Sequence, residues 1–157
     1  MFAASRQRGF TLIELLVVLV ILGILLGVVS VNMAPSRRQG MQQEAQRIAM
    51  LLQLARDEAI VRNRPVAFEA DADAYRFLVR NEQRRWEPVT QDDLLRERPF
   101  KNSPVTLLLD PASTVPGDRL RIVFGREPVD RPFRLTMVSG DVSVAILADG
   151  IGHFTVE

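Results

Sequence analysis

Near the start of the chain, Gly9, Phe10 and Glu14 have the types and spacing for one kind of chemistry: a proteolytic cut followed by modification of the new amino terminus. A glycine offers no side chain to obstruct a protease at a membrane surface. Cleavage between Gly9 and Phe10 makes Phe10 the first residue, with a cationic amine one helical turn from the Glu14 carboxylate. An acidic residue inside hydrocarbon costs on the order of a few kcal/mol and asks for a partner. Its own terminus, the unpaired N–H groups of the first helical turn, or the amine of a neighbouring subunit can each serve. In the last case Glu14 becomes a register for assembly.

Other constellations fail when their geometry is written out. The chain has no cysteine, which excludes disulfides and thiol chemistry, and its single histidine, His153, excludes a multi-histidine metal site. His153 falls in a segment that reads as a terminal strand, and no nucleophile motif of the G-x-S-x-G kind occurs. A structural histidine and no enzymatic activity are therefore expected. Asp71, Asp73 and Glu82 occupy the first, third and twelfth positions of a calcium-loop template, but Arg76 stands where the turn needs glycine. Tyr75, Phe77 and Val79 alternate there as in a strand, so no metal and no cofactor is expected.

The elements that position these residues begin with an apolar run. Residues 15–36 carry no charge, and at about 1.5 Å of rise each they cover roughly the 30 Å hydrocarbon core. A cleaved secretory signal is a poor reading, because the run is too long and Val31-Asn32-Met33-Ala34 is a weak cleavage site. A plain signal anchor fits the length and leaves Glu14 unexplained. Arg6 and Arg8 favour a cytoplasmic start, nearly balanced by Arg37 and Arg38 at the far end. Elsewhere the 157-residue chain is polar, and a formal net charge of +1 implies no nucleic-acid or acidic-lipid partner by field alone.

After Pro35, Met41, Ala45, Ile48, Leu52, Ala55 and Ala59 recur at spacings of three and four, the stripe of a helix packed on its own domain. Pro35 and nearby glycines are expected to bend or loosen the junction with the membrane half, and Asn63 and Pro65 to end the helix. Beyond Pro65 the period shortens to two. Strands are expected at Val66 to Glu69, Tyr75 to Val79, Val105 to Leu109, Leu120 to Phe124, Phe133 to Val138, Val142 to Leu147 and His153 to Val156. The Asp71-Ala72-Asp73 turn joins the first pair and Asp149-Gly150 a terminal hairpin. A helix followed by strands is an α+β domain whose antiparallel sheet buries one face on the helix stripe.

The string GFTLIELLVVLVILGIL, from Gly9 to Leu25, resembles the prepilin-type N-terminus of type IV pilins and of type II secretion pseudopilins. The resemblance implies a pilin-like fold and cleavage after Gly9 by a prepilin peptidase. It also implies N-methylation of Phe10, and Glu14 as the acidic residue of the assembly site. The implied organisation is a leader over 1–9, a transmembrane and assembly helix over 10–34, the soluble half of that helix over 35–64, and a periplasmic β-rich domain over 65–157. Further on, ARDEAIVRNRPVAFEAD, YRFLV with Trp86 downstream, and VFGREPVDRPFRLTMVSGDVSVAILADGIGHFTV resemble the H-type minor pseudopilins and their relatives among minor type IV pilins, the GspH/FimT family.

That resemblance implies a low-abundance structural subunit near the tip of the periplasmic pseudopilus of the type II secretion system, which helps export folded proteins across the outer membrane. Its implied partners are the major pseudopilin, other minor pseudopilins, the peptidase and, before assembly, inner-membrane lipid; Glu14 is compatible with a neighbour above it in the filament. The alternative is a minor pilin of a type IV pilus that binds DNA for uptake, which requires a basic groove with an aromatic residue. Arg84, Arg85 and Trp86, with Arg96, Arg98 and Lys101, are the best candidates, but Glu82, Glu87, Asp92, Asp93 and Glu97 interleave them. A solvated charged loop is the expectation there, with no nucleic acid bound.

Overall fold

The apolar run forms a helix, α1 (Leu12–Asn32), uninterrupted through Gly23 and Gly27. The computed structural model describes residues 11–32, 37–90, 92–112 and 119–157, and the chain divides into two units, Met1–Pro35 and Ser36–Glu157. Every described side chain of α1 is exposed within its unit, from Leu12 at 85% to Val18 and Leu22 at 47%. Among the described residues no helix is long and apolar enough to cross a membrane. The side chains of α1 are described as far as Ile24, so the expected span over 10–34 reaches beyond them. The leader 1–9, Phe10 and the expected bend at Pro35 also lie outside the described residues.

The second unit opens with α2 (Arg37–Val61). Its stripe is the one that the spacing predicts: Met41, Ala45, Ile48, Leu52, Ala55 and Ala59 are all buried, Ile48 and Leu52 completely. Burying a side chain the size of Ile48 or Leu52 withdraws apolar surface worth about 1.5–3 kcal/mol, and the three alanines contribute less. Asn63 ends the helix by adopting φ 53°, after which the Arg64 N–H reaches back to the Ala59 carbonyl at 3.1 Å and the Asn63 N–H to that of Ile60 at 3.2 Å. This left-handed cap satisfies two of the carbonyls that a helix end leaves open.

The strands are β1 (Val66–Ala70), β2 (Ala74–Arg80), β3 (Trp86–Pro88), β4 (Arg98–Pro99), β5 (Thr106–Asp110), β6 (Leu120–Phe124), β7 (Phe133–Ser139), β8 (Val142–Ala148) and β9 (Phe154–Val156). All seven expected strands are present. They do not form one sheet: β3, β2, β1 and β6 are consecutive neighbours in a five-stranded sheet, with β4 also on β2, while β5, β7, β8 and β9 make a four-stranded one. Every pairing is antiparallel. α2 contacts both sheets, through β1 and β6 and through β8 and β9.

The two sheets share one core. Phe68 meets Phe77 at 5.4 Å and Tyr75 at 5.8 Å between ring centroids, and Phe100 closes on Tyr75 at 5.2 Å. Leu135, Met137, Val144 and Ile146 present the four-stranded sheet to the same cluster. Phe124 of β6 and Phe154 of β9 stand edge to face at 6.2 Å, an arrangement that suits the charge distribution of aromatic rings and pins one sheet to the other.

Candidate assembly site

Thr11 precedes α1 and caps it. The Glu14 N–H reaches the Thr11 carbonyl at 3.1 Å and the Thr11 hydroxyl oxygen at 3.4 Å. Thr11-Leu12-Ile13-Glu14 is the pattern in which a hydroxyl residue at the cap is followed three positions later by an acid. Glu14 thus stands in the first turn of α1, exposed, where the positive end of the helix dipole favours a carboxylate. Of the three residues expected to act together, the structure places Glu14; Gly9 and Phe10 lie outside the described residues. The cap was legible in the sequence as a T-x-x-E signature and adds Thr11 to the group.

The remaining candidates are used structurally. The Asp71 carboxylate accepts the N–H groups of Asp73 and Ala74, at 3.0 and 2.9 Å, which closes the β1–β2 turn and holds its pKa below the ordinary carboxylate value, against a smaller opposing effect of burial. Among the described residues no cluster of acids and histidines could hold a metal ion. His153 lies just before β9, not within a strand as expected, because the β8–β9 turn runs one residue further. There Asp149 accepts the N–H groups of Ile151, Gly152 and His153, and its other oxygen faces His153 Nδ1 at 2.6 Å. Desolvation opposes ionisation of Asp149, but these bonds and the His153 charge outweigh it and hold the pKa at about 2.

Trp86 is not in a solvated loop. It opens β3, paired with Arg80, and the guanidiniums of Arg80 and Arg121 lie against its ring at 5.8 and 5.7 Å from the centroid. Cation–π contacts of this kind stabilise by about 0.5–1 kcal/mol each where exposed. Arg84, whose φ is 61°, and Arg85 form the β2–β3 turn, with the Arg85 N–H on the Asn81 side-chain oxygen at 2.8 Å. The ring that the DNA-binding alternative needs for base stacking is already engaged by two arginines of its own sheet.

Sequence reasoning passed over a second charged group. Glu69, the one polar residue of β1, is 3% exposed on the sheet face opposite the aromatic core. Arg76 Nε and Nη2 hold one carboxylate oxygen at 3.0 and 2.5 Å, joined by Arg119 at 3.2 Å; Arg121 grips the other through Nε at 3.0 Å and through Nη2. Burial pushes the Glu69 carboxyl up, and the bonds and charges of Arg121 and Arg76 more than reverse this, leaving it below the ordinary value.

A third group joins α2 to two distant loops. The Arg56 side chain donates to the Pro128 carbonyl and approaches Asp130 at 3.7 Å, and its guanidinium fills the space where a side chain at Gly152 would stand.

Residues 4–30 match the model of the prokaryotic N-terminal methylation motif, and residues 44–152 that of the type II transport protein GspH. The type II secretion system protein H of Pseudomonas aeruginosa PAO1 is 35% identical over 140 residues, 87% of this chain and 79% of that protein. Two solved structures share the fold: the crystal structure of the minor pseudopilin EpsH from the type II secretion system of Vibrio cholerae has a TM-score of 0.60, 15% identity, and coverage of 78% of this chain and 98% of that one. The solution structure of Escherichia coli GspH has a TM-score of 0.58, 20% identity, and coverage of 80% and 95%. With a methylation motif at its capped apolar helix and the GspH model matched over the α+β unit that follows in sequence, the chain belongs to the GspH family, the minor pseudopilins of type II secretion.

Proposed function

We propose that the chain works mechanically, as a subunit near the tip of the pseudopilus, after its leader 1–9 is removed between Gly9 and Phe10 and Phe10 is N-methylated. The observation that carries the reading is α1: a 21-residue helix, about 32 Å long, whose described apolar side chains all lack cover within their own unit. Such a surface is stable in lipid or against other helices, and in water it is not. The segment 10–34 is held in the inner membrane until it docks into the growing bundle. The β-rich domain, 65–157, stands in the periplasm and selects neighbours among the major and the other minor pseudopilins.

Glu14 supplies the register. Capped by Thr11 and placed in the first turn, it meets the methylated amine of Phe10 on an adjacent subunit, and misaligned neighbours leave a charge unpaired in hydrocarbon. Contact area comes from the apolar face, and specificity from the pair. Replacing Glu14 with Ala in the native host tests this: the chain is still cleaved, and its co-purification with the other minor pseudopilins falls. Unchanged co-purification would remove the register role.

The minor type IV pilin alternative has less support, since residues 44–152 match the model of the type II transport protein GspH and Trp86 is engaged within the sheet.

A further inference from the structure

The start of α2, the loop between β4 and β5 and the turn between β7 and β8 converge on a cavity of about 420 Å³ whose charged lining residues are Arg37 and Lys101, with Asn102, Ser103 and Ser139 beside them. The convergence is close. A Cβ on Gly40 would meet the Asn102 side-chain nitrogen at 3.4 Å, and one on Gly140, in the turn at φ 61°, would lie 4.0 Å from an Arg37 terminal nitrogen. Ser139 donates its hydroxyl to the Asn102 carbonyl at 3.2 Å and so ties the turn to the loop. Lys101 is the only lysine of the chain, and Arg38 follows Arg37 in the helix, exposed like both lining cations. Asp141 stands in the turn itself beside Gly140, exposed, and does not line the cavity.

We infer that this cavity binds the phosphate of an anionic phospholipid headgroup. A guanidinium presents a planar fork to two phosphate oxygens while an ammonium supplies a point charge and rotatable donors; Arg37 and Lys101 combine the two. The Asn102 side-chain amide and the Ser103 hydroxyl add neutral donors of the kind that complete a phosphate shell. The ligand is a lipid by connectivity: Arg37 follows Asn32, the end of α1, by five residues, at most about 18 Å of extended chain. This step rests on the proposed membrane location of 10–34. A few basic residues are attracted to an anionic bilayer only weakly, so the cavity orients the waiting subunit at the membrane surface without fixing it there.

The test uses the full chain in nanodiscs of phosphatidylcholine, of phosphatidylcholine with phosphatidylglycerol, and of phosphatidylcholine with inorganic phosphate added at matched ionic strength. The Tm of the β-rich unit rises by about 4 °C in phosphatidylglycerol discs only. The rise vanishes in the R37Q/K101Q double variant and persists in Arg64→Gln, which removes a cation from just beyond the far end of α2. No rise in the wild type, a rise that survives R37Q/K101Q, or one lost equally in Arg64→Gln overturns the inference. An equal rise with inorganic phosphate overturns the lipid assignment. Carbonate extraction of host membranes tests the anchoring separately, since release of the chain there would refute the membrane reading whatever the nanodiscs show.

Discussion

Glu69 on β1 and Arg121 on β6 stand directly opposite each other in register, and the same carboxylate faces Arg76, its register partner on β2. One buried acid therefore ties three strands through groups far apart in sequence. Because side chains alternate across a strand, a one-residue slip of either neighbour would turn its arginine to the core face and leave the carboxylate unmatched. Hydrophobic alternation sets which face is inward, and the Glu69 cluster sets which residue is opposite which.

Replacing Glu69 with Gln leaves Arg76, Arg119 and Arg121 crowded without their counter-charge. A fully buried pair broken on one side costs about 3–5 kcal/mol, but these arginines retain contact with water, so a loss of about 2 kcal/mol is expected. Urea denaturation of wild type and variant checks it, and an unchanged midpoint would contradict it.

The acid limb of stability follows from the same carboxylate and from Asp149. Both have folded pKa values below their unfolded ones, Asp149 at about 2, so each contributes stability that is full above the unfolded carboxylate range and is lost as pH falls through the folded value. Denaturant midpoints should be flat near neutrality and decline below about pH 4. The decline should be shallower in Glu69→Gln than in the wild type; parallel curves would contradict it.

Arg56 should behave as a strut. Truncation to Ala removes its bond to Pro128 and its ion pair with Asp130, with an expected cost of about 2–3 kcal/mol. Gly150→Ala is expected to cost at least as much, because φ is 82° there and the new methyl would collide with the Asp130 backbone carbonyl. Hydrogen exchange should show both changes loosening the 125–132 loop before α2.

Trp86 is the only tryptophan, so its fluorescence reports on the one site where Arg80 and Arg121 lie against the ring. Adding a single-stranded oligonucleotide at near-physiological salt is expected to leave the emission unchanged. Concentration-dependent quenching would revive the DNA-binding alternative.

Much of this fold is legible in the sequence because its signals are local. The stripe from Met41 to Ala59 needs only a period of 3.6, six of the seven expected strands are long enough to alternate, and the seventh, β9, is announced by the Asp149-Gly150 turn before it. The division into two sheets is not local: β6 falls between β5 and β7 in the chain yet joins the other sheet, and nothing in Leu120 to Phe124 says so. β3 and β4 are too short to show a period, contain Pro88 and Pro99, and owe their form to pairing with β2. Glu69 was invisible as a cluster because Arg119 and Arg121 lie about fifty residues away. Thr11, by contrast, carried a local signature that was there to be read.

The central claim is that the amino terminus is remade before α1 does its work, and the mass of the chain isolated from membranes of its native host tests it most directly. The account predicts a polypeptide that begins at Phe10 and carries one added methyl group on its amine. Molecules that retain Met1 and the leader, in the assembled fraction, would contradict it.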